Sequence, residues 1–530
     1  MKQTVLEKQD QILKGIKDQV PHLNPFLYGT DSYKVSHITF ETEGVKEIYS
    51  NFTPRFSKYM ESMLGKEYDN KYVVFGIQWM LLRLHTMAEE GFFKRPKEEV
   101  ISEMKKVHSP YIGNEQFSHF EALHDLGYLP IIIKTLDEGT VVPVGVPFLT
   151  IRNSLPEFEW LPNYLETILS TELWKSITVA TVARTFRLVG NKFALETTGS
   201  IEGVEWQNHD FHVRGASGLE SAAISGVAFL TSSCGTDNIP ALWAAYKFYQ
   251  SSNEQGLLAG SVSAGEHSVT TSGILTEQER AAFDGEVIDL LEAEKRYLKT
   301  LLTEKFTTGI FSYVADSFDY YGMLEYVLPQ LKSEILSRDG KFVIRGDSGN
   351  PVDVICGDVL GITEVEVKGT IEHLWDTFGG TINEQGYKVL DSHIGMIYGD
   401  GITVERQVEI LTKLKVKGFA STNITFGAGS YSLNYLSRDH LGMAIKATNT
   451  IVEIGGKLVD KPIYKEPKTD TSKKSLRGLI SVHEDEQGNL YYKDMQTRKQ
   501  EDTGLLGVVY MNGQFHKFTD VFTIRDKIWK

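Results

Sequence analysis

Cysteine is almost missing: the 530 residues include two, Cys234 and Cys356. Two thiols cannot build a disulfide framework and have no metal-ligand spacing, so a disulfide-stapled secreted scaffold is excluded and structural zinc is disfavoured. Long apolar runs are missing as well. The most apolar stretch, Tyr72 to Met87, is interrupted by Gln78 and Arg83. It falls short of the roughly 20 apolar residues of a spanning helix and reads as a core helix. Basic residues are outnumbered, 55 Lys and Arg against 70 Asp and Glu, for a net charge of −15. That balance argues against a broad grip on nucleic acid or an anionic membrane and leaves room only for local basic pockets. Residues Met1 to Lys17 lack the apolar core and small-residue cleavage site of a signal peptide. They read as a surface helix, and a cytoplasmic location is expected.

With 41% hydrophobic and 11% aromatic residues, the chain can bury a sizeable core, and its length suggests about two to four domains. From Leu27 to Asn153 the signals are mixed. A strand-like run lies at Glu47 to Phe52, and a strand pair, Ile131 to Thr135 and Val141 to Ile151, has Glu138 and Gly139 in its turn. After a helical stretch, Tyr164 to Thr198, short apolar runs repeatedly end in Gly/Asp/Ser loops followed by amphipathic helices. Phe342–Ile344 leads into Arg345, Gly346 and Asp347, Met396–Tyr398 into Gly399 and Asp400, and Ile424–Phe426 into Gly427 and Gly429. Such serial units imply parallel strands with right-handed crossovers, as an open doubly wound sheet or as a barrel with its working face at the strand C-termini. Hairpin signals return at Gln487–Asn489 and at Asn512, Gly513. The expected division is a helical extension over 1–26, a discontinuous α+β domain from 27–175 with 430–530, and a barrel-like catalytic domain over 176–429.

Asp210, Asp237, Asp316, Asp347 and Asp400 all fall at or just past expected strand ends, so a closed barrel turns them toward one cavity. Each taken alone is an ordinary helix cap. Together they need cations or a ligand that uses them as acceptors. Arg214, Arg345, Arg438 and Lys446 lie near these loops, and Gly427–Gly429 exposes backbone N–H groups before a helix. That combination suits a sugar phosphate or diphosphate with Mg²⁺. His267, between Glu266 and Ser268, sits among small residues where it can act as base or nucleophile, although a lone histidine is more often a passive hydrogen-bonding group. Tyr33 and Phe211 are ordinary core aromatics unless a ring stacks on them.

These blocks occur in an order that resembles the nicotinate/nicotinamide phosphoribosyltransferase family from about Leu27 to about Arg477. They are Asp31–Lys34 with His37; His209–Phe211 with Arg214 and Gly215; Gly235–Asp237; Glu266–Ser268; Asp316, Ser317 and Asp319; Arg345 with Asp347–Pro351; Gly399–Gly401; Gly427 with Gly429; and Arg438, Asp439. The resemblance implies an incomplete or distorted (β/α) barrel with a second, discontinuous α/β domain, in a homodimer with active sites at the interface. It also implies transfer of phosphoribosyl from 5-phosphoribosyl 1-diphosphate to a pyridine base in NAD salvage. By the match, Phe211 of one subunit and Tyr33 of the other clamp the ring, beside Asp31. Arg345 and Ser312 lie at the amide oxygen, and Asp237 accepts the amide N–H. Asp347 and Asp400 with Gly399 hold the ribose, and Gly427, Gly429, Ser430 and Arg438 the 5′-phosphate. Lys446, Arg55, Lys465, Lys473 and Arg477 form a phosphate clamp with Arg214, and Mg²⁺ is carried mainly by the diphosphate. His267 matches a histidine phosphorylated by ATP as a stimulatory co-substrate, with Glu266 and Asp316 as its partners.

A carboxylate at 237 favours a carboxamide over a carboxylate substrate, so nicotinamide is the expected base. Nicotinate transfer, a barrel lyase or isomerase acting on phosphosugars, and a non-catalytic phosphosugar-binding homologue are the alternatives. Three departures from the family pattern stand out. Gly346 occupies a usual Pro position and is expected to loosen its loop. Ser430 replaces a glycine of the phosphate loop, and 281–305 reads as an added helix near the ATP entrance.

Overall fold

The computed structural model describes residues 25–113, 116–466 and 475–530. The expected helix over Met1–Lys17, and Lys473, lie outside them. By internal contacts the chain forms two compact units. One comprises Met1–Phe56, Gly76–Trp174 and Gly442–Thr519, and the other Ser57–Phe75, Lys175–Leu441 and Asp520–Lys530.

The first unit is built on a seven-stranded sheet in the order Lys457–Pro462, Ala444–Ile454, Val45–Thr53, Leu149–Asn153, Ile131–Thr135, Gly507–Met511, Gln514–Phe515. All its neighbours are antiparallel. The unit is discontinuous because Val45–Thr53 pairs along its length with Ala444–Ile454. Val45–Thr53 is buried at nearly every position, as a strand flanked on both sides must be. Ile131–Thr135 pairs with Leu149–Asn153, and Val141–Pro143 forms a short strand of its own. The turn at Asn512, Gly513 has both residues at positive φ, 51° and 78°, the backbone a two-residue hairpin favours. The core helix is Ile77–Ala88, and the buried Glu138 carboxylate accepts from the N–H groups of Gly76 and Gln78 at its start.

The second unit carries seven parallel strands, here β1 (Asn208–Asp210), β2 (Gly235–Thr236), β3 (Ser263–Ala264), β4 (Phe311–Val314), β5 (Phe342–Gly346), β6 (Ile394–Tyr398) and β7 (Ile424–Ala428). Their order is β2-β1-β7-β6-β5-β4-β3, every pair parallel. Gly260, just before β3, bridges to Gly235 of β2: Thr236 N–H donates to Gly260 O at 3.0 Å and Gly260 N–H to Cys234 O at 2.8 Å. The two edges therefore meet, and the sheet is a distorted barrel rather than an open doubly wound sheet. The distortion sits at β2 and β3, each two residues long.

Three segments expected elsewhere pack with the barrel. Ser57–Phe75 is held by Arg184 on Asp69 at 2.8 Å and by Val73 N–H on Thr181 Oγ1 at 3.2 Å. The stretch 430–441 is tied by Lys175 Nζ on Leu433 O at 2.6 Å. Asp520–Lys530 is anchored by Arg525, which donates to the carbonyls of Leu230, Leu257 and Ser233 at 2.6, 2.9 and 3.1 Å. Within 281–305, the helix Leu290–Thr300 is capped by Asp289, whose carboxylate accepts from Glu292 N–H at 2.8 Å.

Candidate active site

The C-terminal ends of β1, β2, β5 and β6, with the loop after β7, surround a cavity of ≈ 720 Å³ lined by Phe211, Arg214, Asp237, Arg345, Asp347 and Asp400, with Gly399, Gly429 and Ser430. This is the face where a parallel barrel puts its functional groups, and the expected residues on it come from separate strands.

Asp237 follows β2. Its Oδ1 accepts from His209 Nε2 at 2.9 Å and from Ser261 Oγ at 2.5 Å. Among the described residues no donor reaches Oδ2, and the side chain is 46% exposed, facing the cavity. Burial pushes its pKa up, but the His209 and Ser261 hydrogen bonds and the charge of Arg345 outweigh burial and hold the carboxyl below its usual range. It is an ionised acceptor at neutral pH. His209 and Ser261 were not legible as site residues: His209 stands inside the His209–Phe211 block, whereas Ser261 has no signal beyond its polar neighbours.

Arg345 Nε forms an ion pair with Asp347 Oδ2 at 3.2 Å without the alignment of a hydrogen bond, so its buried N–H has no hydrogen-bond partner among the described residues. Ser312 Oγ is a second such donor. On β4, Tyr313 points outward, donating to Glu294 of Leu290–Thr300 at 2.9 Å. Side chains alternate along a strand, so Ser312 faces the barrel interior.

Asp316, past β4, joins two parts of the site. Its Oδ1 lies 2.9 Å from His267 Nε2, and its Oδ2 accepts Asp347 N–H at 3.0 Å. Burial raises its pKa, but the Ser348, Asp347 and His267 donors win and the carboxyl stays below its usual range. Asp347 goes the other way: burial, with the charges of Asp316 and Asp400, raises it against the pull of Arg345. His267 opens the helix His267–Phe283, and Glu266 at the cap position accepts from Ser268 Oγ rather than contacting the imidazole.

The glycines have a steric reason. A Cβ at Gly427 would stand 2.4 Å from the Phe211 ring, and one at Gly399 would stand 2.3 Å from Asp347 Oδ1. Gly427 thus seats the ring rather than lining the cavity, while Gly429 and Ser430 do line it. The Ser430 hydroxyl donates to His212 O at 3.2 Å. Gly346 does not loosen a loop: it ends β5, buried, with its carbonyl accepting Gly399 N–H at 3.1 Å.

Not every expected group converges. Asp210 borders the cavity, but its carboxylate is fully buried and bonded to His212, Thr236 Oγ1 and Asn238 Nδ2, so it ties the β1 and β2 loops together. Arg438 is exposed beside Asp439. Six expected residues belong to the other unit. There Tyr33 is 57% exposed with its ring 5.4 Å from His37. Asp31 accepts from Thr167 at 2.6 Å, and Lys446 stands 3.6 Å from Glu166. Arg55 donates to Gly442 O at 2.8 Å, Lys465 N–H donates to Ser475 Oγ at 2.7 Å, and Arg477 pairs with Glu466 at 2.9 Å.

The profile of the nicotinate phosphoribosyltransferase (NAPRTase) family matches residues 206–507. A nicotinamide phosphoribosyltransferase of Acinetobacter baylyi is 41% identical over 519 residues, covering 96% of this chain and 97% of that protein. One from Mycoplasma pneumoniae is 33% identical over 464 residues, covering 85% and 94%. Among solved structures, human nicotinic acid phosphoribosyltransferase aligns with TM-score 0.52 at 14% identity over 94% of this chain and 92% of that one. Nicotinate-nucleotide pyrophosphorylase of Pyrococcus furiosus aligns with TM-score 0.54 at 13% identity over 96% of each. By profile and by near full-length identity, with this barrel beneath them, the chain belongs to the nicotinate phosphoribosyltransferase family.

Proposed function

We propose that this chain is a nicotinamide phosphoribosyltransferase, converting nicotinamide and 5-phosphoribosyl 1-diphosphate to nicotinamide mononucleotide and diphosphate in NAD salvage. The observation that carries the choice of base is the polarity of three groups: an ionised acceptor, Asp237, with two buried donors that lack a hydrogen-bond partner among the described residues, Arg345 Nε and Ser312 Oγ. A primary carboxamide offers N–H to the first and C=O to the others. Nicotinate would bring a like charge to Asp237 and leave Oδ2 without a donor, a mismatch costing several kcal/mol, on the order of a thousandfold.

The base lies against Phe211, whose ring Gly427 admits, and Tyr33 of a second subunit covers its other face. As the pyridine nitrogen attacks C1 of the ribose and the diphosphate leaves, positive charge grows on the ring and the nearby carboxylates offset it. Asp347 and Asp400 hold ribose hydroxyls, and Gly429, Ser430 and Arg438 the 5′-phosphate. Arg214, which lines the cavity, faces the anionic groups. The hard oxygen donors Asp347 and Asp400 would suit Mg²⁺ carried mainly by the diphosphate. When bound, Mg²⁺ would supply positive charge to the diphosphate leaving group.

His267 is the acceptor of the ATP γ-phosphoryl group. Its Nε2–H donates to Asp316, which leaves the lone pair on Nδ1 to attack phosphorus as ADP departs. The phosphohistidine charge beside the diphosphate site couples ATP to turnover. A homodimer is supported by the helix Ile239–Tyr249, which exposes Ile239, Trp243 and Tyr246 as an apolar stripe beside the cavity. The location is the cytoplasm, in keeping with two free buried cysteines and, among the described residues, no helix long and apolar enough to cross a membrane.

The test is diphosphate release with phosphoribosyl diphosphate and Mg²⁺, comparing nicotinamide with nicotinate, with and without ATP, and with the mononucleotide confirmed by mass. Strong preference for nicotinamide is the expected result. Preference for nicotinate overturns the role of Asp237, and no turnover with either base overturns the assignment.

A further inference from the structure

Asp237 can discriminate only if one oxygen is held for the ligand, and the structure provides the means. Two donors from different segments of the barrel converge on the same oxygen. His209 on β1 and Ser261 just ahead of β3 both reach Oδ1, at 2.9 and 2.5 Å, while Oδ2 has no donor among the described residues and the side chain lines the cavity. We propose that His209 and Ser261 are positioning residues for base selection: by saturating Oδ1 they lock the carboxylate rotamer and leave Oδ2 as an acceptor only. This rests on the assignment of Asp237 to the carboxamide.

Two further features give the arrangement a purpose of its own. A Cβ at Gly235 would stand 2.7 Å from His209 Nδ1, so a glycine on β2 clears the imidazole's place beside Asp237. The bridge between Gly235 and Gly260 fixes the edge from which Ser261 reaches across. Without the two donors the carboxylate can rotate or take up a proton, and a protonated Asp237 donates to a carboxylate as readily as it accepts from an amide. Nicotinate then ceases to be excluded.

The experiment measures kcat/KM for nicotinamide and for nicotinate in the intact enzyme and in Ser261→Ala, Ser261→Thr, Gly235→Ala and Asp237→Ser. Ser261→Ala and Gly235→Ala are each expected to lower the amide-to-acid ratio about tenfold or more, mainly through the KM of the base. KM for phosphoribosyl diphosphate should stay unchanged, and Ser261→Thr, which keeps the hydroxyl, should restore the ratio. An unchanged ratio in both Ser261→Ala and Gly235→Ala, with Asp237→Ser relaxed, overturns the positioning role and leaves the function standing. An unchanged ratio in Asp237→Ser overturns the assignment of Asp237 itself.

Discussion

His267 Nε2 lies 2.9 Å from Asp316 Oδ1, and the other oxygen of the same carboxylate accepts the Asp347 N–H at 3.0 Å. One side chain therefore orients both the proposed phosphoryl acceptor and the loop that carries a ribose ligand. Asparagine at 316 keeps one acceptor and loses the other. Asp316→Asn is expected to lower the rate of His267 phosphorylation by about a hundredfold or more, with ATP-independent turnover reduced far less. Radiolabel transfer from ATP and steady-state turnover, read side by side, check this. Phosphorus–nitrogen NMR of the labelled enzyme should place the phosphoryl group on Nδ1.

Gly427 and Phe211 make a second coupled pair. The ring occupies the space a Cβ would take, with the Gly399 backbone 2.9 Å from the same point. Gly427→Ala must move the ring, because backbone closes the other side. Such overpacking costs about 1–3 kcal/mol of stability, and a displaced stacking surface should raise KM for nicotinamide about tenfold or more. Thermal unfolding and separate KM values for the two substrates provide the check: a KM for phosphoribosyl diphosphate that rises as much as that for nicotinamide contradicts a role confined to the ring.

The parallel barrel was legible because its signal is local: each apolar run ends in its own Gly or Asp and starts its own helix. Asp237, Arg345, Asp347 and Asp400 could be placed on one rim for that reason. Asp210 carries the same local pattern but meets His212, Thr236 and Asn238 in the folded chain. Periodicity does not distinguish a carboxylate that faces a cavity from one that staples two loops. The Asp237–Ser261 contact depends on β2 and β3 edges that meet through a single bridge, which no spacing encodes. Arg525 was unreadable for a related reason. It serves carbonyls at Leu230, Ser233 and Leu257, and a side chain bonded to distant backbone leaves no trace in composition.

Ser430 fills a space that Gly215 leaves open. A Cβ at Gly215 would fall 2.0 Å from Ser430 Oγ, so the two positions share one volume. Gly215→Ala alone should destabilise by about 1–3 kcal/mol, and Ser430→Gly alone by less, through loss of the bond to His212 O. In the double variant the clash disappears, giving a favourable coupling of about 0.5–3 kcal/mol. Denaturant unfolding of the four proteins measures it, and simple additivity would contradict the shared-volume account.

Glu294 introduces a pH dependence that the active site does not explain. It is 1% exposed on the helix Leu290–Thr300, and burial pushes its pKa up to about 7, against the Tyr313 hydrogen bond and with a smaller push from Asp319. Between the unfolded value near 4.5 and the folded value near 7, the folded chain holds a proton that the unfolded chain has released. Stability contributed by the protonated group is thus fully present below pH ~4.5 and is lost as pH rises toward ~7, by at most about 3 kcal/mol. Glutamine keeps an oxygen to accept from Tyr313 and cannot ionise. Glu294→Gln should therefore match the parent near pH 5 and unfold at a higher temperature near pH 8. Equal differences at both pH values would mean that the Glu294 carboxyl does not titrate in this window.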